Sequence, residues 1–384
     1  MPAIPWRILT NKCMIAPVPA PDERTVLDSL RPIIDPDFQK SIVDLGFVKG
    51  IRIEGSRVAF KIELTTPACP VKEEFARQAR EAVSALDGVE EVEVEMTANT
   101  RGSRPEQKQG VLPGVRNVVA VASGKGGVGK STVAVNLALA LRRKGATVGL
   151  LDVDVYGPSI PLMLGVHGRP EVTAERKIIP KRAHDLALMS IGFLADEKAP
   201  VIWRGPMVHG IVQQFLSDVS WGSLDYLVLD LPPGTGDAAL TLTQSAPLSG
   251  AVIVTTPQEV ALIDARKGLK MFERVNVPVL GIIENMSYFV CPNCDTKHSL
   301  FGEGGGERAA AELGVDLLGR IPLQPDVVTA GDTGTPTVLS HPDSSAAQAF
   351  EDLAGTVARK LAVLSSEELT VLGNSIEWNS DGAR

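Results

Sequence analysis

A glycine- and lysine-rich run near the middle of the chain has the spacing of a phosphate-binding loop. Residues 124–131 read GKGGVGKS, which satisfies the pattern G-x-x-x-x-G-K-[S/T]. Glycines allow the backbone to curl around a phosphate group without side chains in the way. A strand-like run precedes the loop and an apolar helical run follows it, so the helix dipole is aimed at the same phosphate.

Individual residues of this loop have distinct expected roles. Lys130 is expected to neutralise the β- and γ-phosphates of ATP, and the Ser131 hydroxyl to ligate Mg²⁺. A second lysine, Lys125, cannot easily turn onto the phosphates beside Lys130, but it could reach a nucleotide bound to a second copy of the chain. The residues that we expect to contact nucleotide here are Gly124, Lys125, Gly126, Gly127, Val128, Gly129, Lys130, Ser131 and Thr132.

Acidic residues follow two apolar, strand-like runs. Asp152 and Asp154 end the run LLDVD, and Asp230 ends the run YLVLD in a Walker B arrangement, where an aspartate holds Mg²⁺ through a water. Ligands of α/β sheets bind at the carboxyl ends of strands, so the first two carboxylates can hold hydrated Mg²⁺ or orient an attacking water, unless they merely cap the strand. In the loop PPGTG, the Gly234 amide is placed to sense a γ-phosphate. Asp237 either belongs to the same switch or caps a helix.

Cys291 and Cys294 form a C-x-x-C, which places two thiolates close enough to share a metal. Zinc or a [4Fe–4S] cluster normally needs four ligands, and the chain has no second C-x-x-C. A symmetric dimer would supply two thiolates twice, in agreement with the dimer indicated by Lys125. Bridging zinc, a redox dithiol and ordinary buried cysteines remain as alternatives. His298 is a lone histidine and is not included among the ligands.

The elements that position these residues alternate between strands and helices. Continuous apolar runs of strand length are typical of parallel strands covered on both faces, and helical stretches separate them. We therefore predict an α/β fold with a doubly wound, mostly parallel sheet in a P-loop NTPase domain, preceded by a small α+β domain of order α-β-β-α-β. The runs are NVVAVAS, ATVGLLDVD, LALMSIG, YLVLDLP, AVIVTTP, VLGIIENM and LLGRIP.

Changes in composition give the expected boundaries. We predict a flexible arm over residues 1–21, the small α+β domain over 22–98, and a polar linker over 99–114 that contains prolines and glycines. The P-loop ATPase domain then covers 115–364, and residues 365–384 form a polar tail with no clear element.

Composition also excludes several classes of function. The formal net charge of −8 disfavours binding to nucleic acid or to an anionic membrane surface. No apolar run approaches the ~18 residues of a membrane span. Four cysteines among 384 residues are too few for a disulfide scaffold, and no signal peptide is recognised, so we expect a cytoplasmic protein.

A set of motifs over about residues 113–363 resembles the Mrp/ApbC family of P-loop ATPases, which is implicated in carrying iron–sulfur clusters. The resemblance implies that Asp154 activates the attacking water and that Asp152 acts on the Mg²⁺ side. It also implies that Asn285 reads the adenine edge, although a plain turn asparagine is the alternative. The motifs are GKGGVGKST, LLDVDVYGPSIP, VIWRGPMV, DYLVLDLPPGTGD, IIENMS, and CPNC followed by FGEGGG.

The phosphate loop itself resembles the deviant loop shared by nitrogenase iron protein, arsenite-pump ATPases and the division-site and plasmid-partitioning ATPases. In that comparison Lys125 is the intermolecular signature lysine, which implies a nucleotide-sandwich homodimer. The N-terminal region resembles the small iron–sulfur-assembly domain often fused ahead of bacterial Mrp proteins, through Asp35–Asp37, Leu45–Phe47 and Thr65–Pro70. Cys69 is its motif cysteine; a transient cluster or partner contact and a buried strand-end thiol are equally expected.

The function that these features favour is an ATPase that carries a [4Fe–4S] cluster between two subunits, with ATP and Mg²⁺ as further cofactors. Its expected partners are a second copy of the chain, apo iron–sulfur proteins and cluster-assembly factors. Slow ATP hydrolysis would act as the switch. The alternatives are a positioning or partitioning ATPase, a zinc-bridged dimeric ATPase without cluster transfer, and an ATP-driven electron-transfer reductase. The reductase is disfavoured because its cluster cysteines would lie in two separate loops.

Overall fold

Contacts divide the chain of the computed structural model into two units. The first comprises the chain up to Glu63 together with Val71–Thr97, and the second comprises Leu64–Pro70 and the chain from Ala98 onward. The predicted arm before Pro21 and most of the predicted linker lie outside the described residues. The structure describes residues 21–100, 102, 111–194, 205–291, 293–294 and 296–375.

The elements around the first unit follow the predicted order α-β-β-α-β, with two additional two-residue strands between the first helix and the predicted hairpin. The first helix begins after Asp22, whose side chain accepts a hydrogen bond from the Thr25 amide at 2.7 Å. The third and fourth strands pair as an antiparallel hairpin, and the fourth alternates buried and more exposed residues along its length. The elements are α1 (Glu23–Leu30), β1 (Ile34–Asp35), β2 (Lys40–Ser41), β3 (Val48–Glu54), β4 (Arg57–Leu64), α2 (Lys72–Ser84) and β5 (Glu91–Ala98).

The second unit is built on an eight-stranded sheet within the described part of the chain. Its strand order is β15-β12-β11-β6-β10-β7-β9-β8, and neighbours are parallel except for β8 and β9. All seven predicted apolar runs form strands of this sheet. The strands are β6 (Val115–Ser123), β7 (Val148–Asp152), β8 (Lys181–Ala183), β9 (Leu186–Ser190), β10 (Leu224–Asp230), β11 (Gly250–Thr255), β12 (Val279–Glu284) and β15 (Leu317–Arg320).

Helices connect the strands of this sheet. The helix after the phosphate loop is apolar nearly all round, and ten of its fourteen residues are buried, as expected for a helix enclosed in a core. The helices are α3 (Lys130–Arg143), α4 (Ile160–Met163), α5 (Gly205–Ser217), α6 (Asp237–Ser245), α7 (Glu259–Arg274), α8 (Gly305–Leu313), α9 (Pro325–Asp332), α10 (Thr337–Ser340) and α11 (Ser345–Ser375).

A small antiparallel hairpin interrupts the path from β12 to α8. It consists of β13 (Phe289–Val290) and β14 (Lys297–His298), with Phe289 opposite His298 and Val290 opposite Lys297. The C-x-x-C occupies the turn between these two strands. We call residues 289–298 the cysteine hairpin.

Two boundary predictions differ from the structure. Helix α11 continues to Ser375, so the prediction of no clear element from Ser365 is wrong for residues 365–375, and 376–384 lie outside the described residues. Extending an existing helix adds one hydrogen bond for each residue ordered, so a polar sequence can continue it without its own apolar stripe. Leu64–Pro70 groups with the second unit rather than with the small domain because Ala68 joins the second unit's core.

Candidate functional site

The phosphate loop connects the central strand β6 to α3, at the edge of the sheet where parallel strands end. Gly129 precedes the first helical residue with a φ of +82°, which a residue with a side chain rarely adopts. Gly124 is required for another reason, because an added Cβ would lie 2.2 Å from the backbone carbon of Asp264 in α7. At Gly126, by contrast, an added Cβ would meet nothing within 4 Å, which fits a position facing a ligand.

A buried lysine and the predicted carboxylates meet beside this loop. Lys130 Nζ lies 2.8 Å from Asp230 Oδ1 and 3.3 Å from Asp154 Oδ2, and its side chain is 6% exposed. The Ser131 hydroxyl donates to Asp230 Oδ2 at 2.6 Å. The carboxyl ends of β7 and β10 are adjacent in register, with Asp152 opposite Asp230, so the strands place all three carboxylates at one edge.

Burial at this edge of the sheet raises the pKa values of Asp152 and Asp230. Burial and the Asp230 charge raise the pKa of Asp152 to about 8, although hydrogen bonds from Ser190 and the Asp154 amide and the charge of Lys130 oppose the rise. Burial also raises the pKa of Asp230, against the ion pair with Lys130. Burial alone would lower the pKa of Lys130, but the carboxylates of Asp230, Asp154 and Asp152 raise it on balance. The lysine therefore stays charged. It is one cation beside three carboxyl groups, so the cluster would accept a further cation.

Sequence reasoning missed Ser190, which holds the Asp152 side chain in place. Its hydroxyl donates to Asp152 Oδ2 at 2.8 Å, and the residue is completely buried at the end of β9. The Asp154 amide donates to the other oxygen, Oδ1, at 3.1 Å. A serine at a strand end carries no distinctive sequence signal, and only the adjacency of β7 and β9 reveals this contact.

The donor set at the loop fits Mg²⁺. Hydroxyl and carboxylate oxygens are the ligands that this hard cation prefers, and Ser131 and Asp230 already present such oxygens 2.6 Å apart. In the described residues, no group of three His, Cys, Asp or Glu side chains has an arrangement that could by itself hold a metal ion. Mg²⁺ often completes its shell with water and substrate phosphates, so a partial protein set is what a nucleotide site requires.

The predicted switch loop contacts the last residue of β6, immediately before the phosphate loop, through its backbone. The Gly234 amide donates to the Ser123 carbonyl at 2.8 Å, at a φ of +89°. Sensing of a γ-phosphate by this amide stays a prediction, and it requires the amide to leave Ser123. Helix α6 begins at Asp237 with Gly236 as its N-cap.

Asn285 follows β12 and is buried against the phosphate loop. Its side-chain Nδ2 donates to the Val128 carbonyl at 2.8 Å, and its own amide donates to Thr255 at the end of β11. The side chain therefore lies against the phosphate loop. Adenine reading by Asn285 stays a prediction.

The cysteine hairpin is far more exposed than the phosphate loop. Cys291 is half-buried and Cys294 is exposed, which contradicts the alternative of two ordinary buried cysteines. The Cys291 amide donates to the Thr296 carbonyl at 3.0 Å, and Cys294 Sγ lies 3.3 Å from Thr296 Oγ1. The hydrogen bond to the Thr296 side chain, then those to the Thr296 backbone and Cys291, lower the pKa of Cys294. A thiol with a lowered pKa is more readily a thiolate, the form that binds metal.

The remaining candidate residues are placed as follows. Lys125 is partly exposed on the loop, whereas Lys130 lies between two carboxylates. Cys69 is half-buried within Leu64–Pro70, and both predictions for it stay open. In the same segment, Thr66 Oγ1 lies 2.8 Å from Tyr226 Oη of β10.

Comparison with known proteins matches both parts of the chain. Residues 114–358 match the family described as NUBPL iron-transfer P-loop NTPase. The chain belongs to this family. Residues 23–96 match the family described as iron-sulfur cluster assembly protein, so the resemblances of both regions are confirmed.

Individual members of the family are similar over most of the chain. The iron-sulfur cluster carrier protein of Synechocystis sp. is 51% identical over 343 residues, which cover 88% of this chain and 97% of that protein. The iron-sulfur cluster transfer protein NUBPL of Mus musculus is 52% identical over 261 residues, covering 67% and 82%. A solved nucleotide-binding protein from Archaeoglobus fulgidus in complex with ADP has a TM-score of 0.53 and 42% identity, covering 58% of this chain and 88% of that chain. The chain therefore has the P-loop NTPase fold predicted from its alternating elements.

No helix of the described residues combines the length and the apolar character that crossing a membrane requires.

Proposed function

We propose that this protein is an ATP-dependent carrier that holds a [4Fe–4S] cluster between two subunits and delivers it to apo-proteins. The observation that carries the proposal is a cysteine pair on a short hairpin, with Cys291 half-buried and Cys294 exposed, in the same unit as a complete phosphate loop. The names of the relatives, which include cluster carrier and cluster transfer proteins, support the same function and do not favour a partitioning ATPase.

The cluster is the cargo of the proposed reaction. Cys291 and Cys294 would each provide one thiolate, and a [4Fe–4S] cluster takes four. The same two residues of a second copy complete the set, which makes the homodimer part of the site. The exposure of Cys294 suits a cargo that must enter and leave.

The phosphate loop would bind ATP and hydrolyse it slowly. Lys130 would turn from its carboxylate partners to the β- and γ-phosphates, and Asp154, released from that ion pair, would orient the attacking water. Mg²⁺, held by Ser131 and through water by Asp230 with Asp152 behind it, would neutralise charge on the phosphates. Asn285 Nδ2 donates to the Val128 carbonyl, so the side-chain oxygen, Oδ1, would be the atom that contacts adenine.

Lys125 would contribute across the dimer. Its partly exposed position on the loop leaves its ammonium group available to a nucleotide bound by the second copy, so hydrolysis would require two chains. Hydrolysis and cluster release would then share one switch, the association of the two subunits. The apo iron–sulfur proteins and cluster-assembly factors that exchange clusters with this carrier would meet it in the cytoplasm.

Cluster transfer to an apo-enzyme tests this function. The protein is reconstituted anaerobically with iron and sulfide, freed of excess reagent, and mixed with an aconitase-type apo-enzyme whose activity needs a [4Fe–4S] cluster. Recovery of the acceptor's activity is expected with the wild type, and no recovery is expected with the Cys291→Ala/Cys294→Ala double variant. Equal recovery with both proteins, or purification with about one zinc per dimer and no iron, would refute the carrier.

A further inference from the structure

Glu284 is a buried carboxylate that the proposed reaction does not use. It ends β12 with 1% of its surface exposed. Burying a charge is costly unless hydrogen bonds or an ion pair compensate it. Ser287 Oγ donates to Glu284 Oε1 at 2.5 Å, the Gly306 amide donates to Oε2 at 2.5 Å, and Arg320 Nε lies 3.8 Å from Oε1. Both oxygens of the carboxylate are therefore engaged.

The two hydrogen-bond donors lie on either side of the cysteine hairpin in the sequence. Ser287 comes just before the hairpin, and Gly306 lies in the first turn of α8, the helix that follows the hairpin after a connecting loop. The Glu284 side chain thus links the two ends of the segment, residues 287–306, that carries Cys291 and Cys294. The position of Gly306 depends on its having no side chain, because an added Cβ would lie 2.9 Å from Glu284 Oε2. The amino end of α8 also favours a negative charge there.

The backbone of the same segment is tied to the sheet. The Ser287 amide donates to the Ile321 carbonyl at 2.9 Å, and the Leu323 amide donates to the Tyr288 carbonyl at 2.7 Å. Phe289 forms an isolated parallel bridge with Leu323. These bonds fix the start of the cysteine hairpin against the segment that follows β15, next to the carboxylate of Glu284.

The next residue along the chain contacts the phosphate loop. Asn285 Nδ2 donates to the Val128 carbonyl, and the Asn285 side chain also fills the space beside Gly129, where an added Cβ would lie 2.2 Å from Nδ2. Asn285, which contacts the phosphate loop, is therefore bonded directly to Glu284, which accepts hydrogen bonds from Ser287 and Gly306 on either side of the cysteine hairpin. We call these two hydrogen bonds of Glu284 the clasp. Close-packed interiors transmit small displacements because there is no free space to absorb them.

We propose that Glu284 and Asn285 form a joint that couples nucleotide occupancy of the phosphate loop to the geometry of the cysteine hairpin. Glu284 is the positioning residue of this joint, because its carboxylate binds both ends of the segment that carries the hairpin. The neighbouring Asn285 contacts the phosphate loop, so a change in the loop would reach Glu284 through it. The joint rests on the proposed carrier function for its biological purpose. Its mechanical claim concerns only the response of the thiols to nucleotide.

The test measures how fast the Cys294 thiol reacts in the full-length, cluster-free protein. N-ethylmaleimide is added with and without a non-hydrolysable ATP analogue and Mg²⁺, and mass spectrometry of Cys294 peptides gives the ratio of the two rates. In the wild type this ratio is expected to differ from one by about threefold or more. Ser287→Ala removes one arm of the clasp, so its ratio is expected to fall to near one while its nucleotide Kd stays within about twofold of the wild type.

A matched control distinguishes the loss of the Ser287–Glu284 hydrogen bond from the general effect of removing a buried serine hydroxyl. Ser249 is 1% exposed, and its Oγ accepts a hydrogen bond from the Val118 amide at 3.1 Å. It lies just before β11, at the amino ends of the parallel strands, whereas the phosphate loop and Glu284 lie at their carboxyl ends. Ser249→Ala should lower the melting temperature about as much as Ser287→Ala and should retain the wild-type rate ratio. A wild-type ratio of one, an unchanged ratio in Ser287→Ala, or an equal loss in Ser249→Ala would overturn the joint.

Variants of Glu284 provide a second measurement. Glu284→Ala should abolish the nucleotide response, and Glu284→Gln should restore part of it. Gln can accept from the Gly306 amide and donate to the Ser287 hydroxyl, which keeps both arms of the clasp without the charge. If Glu284→Ala does not fold, Ser287→Ala alone carries the test. Glu284→Ala with a wild-type response would overturn the proposal.

Failure of the joint and failure of the carrier give different results. If the wild type transfers clusters but Ser287→Ala keeps the full nucleotide response, the joint is wrong and the carrier function stands. If the wild type neither holds nor transfers a cluster but its Cys294 response depends on Ser287 and Glu284, the joint stands and the carrier function is wrong.

Discussion

The phosphate loop and the cysteine hairpin lie in the same unit, yet they are built in opposite ways. Lys130, Ser131 and Asp230 are held in place by one another, and Lys130 and Asp230 are nearly or fully buried. Cys294 is exposed on a turn between strands of two residues each. The polar groups of the phosphate loop bind one another within the chain, whereas the hairpin presents two thiols on a turn, one of them exposed. This contrast is what the proposed carrier function requires: a preformed nucleotide site and an accessible site for the cargo.

The largest effect is expected from breaking the buried cluster at the phosphate loop. Lys130→Ala removes the cation that compensates Asp230 and Asp154, and leaving buried carboxylates unpaired costs about 3–5 kcal/mol of stability. The same variant should lose ATP affinity by about two orders of magnitude, since the lysine contacts the phosphates in this motif. Urea unfolding and nucleotide titration measure the two losses. A variant as stable as the wild type would show that the cluster is not compensated by Lys130.

A second change separates binding from hydrolysis. Lys125→Ala is expected to keep the nucleotide Kd within about threefold and to lose steady-state ATP hydrolysis by about two orders of magnitude, the range in which removing one charge-stabilising group acts. The physical reason is that Lys125 would act only on a nucleotide held by the second copy. Phosphate release assays and equilibrium binding measure these quantities. Full hydrolysis by Lys125→Ala would remove the argument for the nucleotide-sandwich dimer.

A third prediction uses the raised pKa of Asp152. Folding raises this pKa from 3.8 to about 8, so the folded state binds a proton that the unfolded state has lost in this range. Stability from this group is present below pH 4 and is lost as the pH rises through 8, at up to about 1.4 kcal/mol per pH unit. Without nucleotide or Mg²⁺, Asp152→Asn should flatten the decline between pH 5 and 8, measured by urea unfolding. Identical slopes for both proteins would contradict the raised pKa.

The smallest effect on stability is expected at the hairpin. The double variant Cys291→Ala/Cys294→Ala should keep the wild-type melting temperature and ATP affinity, because Cys294 is exposed and neither thiol supports the core. Scanning calorimetry and nucleotide titration on the cluster-free protein measure both. A large fall in melting temperature would mean that the cysteines have a structural role, and the contrast between the two sites would disappear.

Sequence reasoning succeeded where local pattern and local geometry coincide. The apolar runs of β6, β10 and β11 are buried on both faces, so their continuous hydrophobicity identified them directly. The phosphate loop was recognised because all of its motif residues are consecutive in the sequence, at positions 124–131. The strands β1 and β2 have only two residues each, and the polar edge strand β8 has three, which is too short for any period to be visible.

Contacts made across the sheet could not be read from the chain. Ser190 and Asp152 come together because β9 pairs with β7, and Glu284 meets Gly306 because α8 returns to the end of β12. No signal in the sequence indicated that Gly124 makes room for α7, in addition to its predicted place in the phosphate loop. Each of these depends on tertiary packing between residues distant in sequence.

The central claim is that two copies of the cysteine pair share one cluster, and native mass spectrometry tests it most directly. The anaerobically reconstituted protein is sprayed from a volatile buffer, and its mass gives subunit number and metal content together. We predict a dimer that carries four iron and four sulfide, or about two iron atoms per chain, and no cluster on Cys291→Ala/Cys294→Ala. A monomer carrying a whole cluster, a dimer holding only zinc, or a double variant with the same iron content would contradict the account.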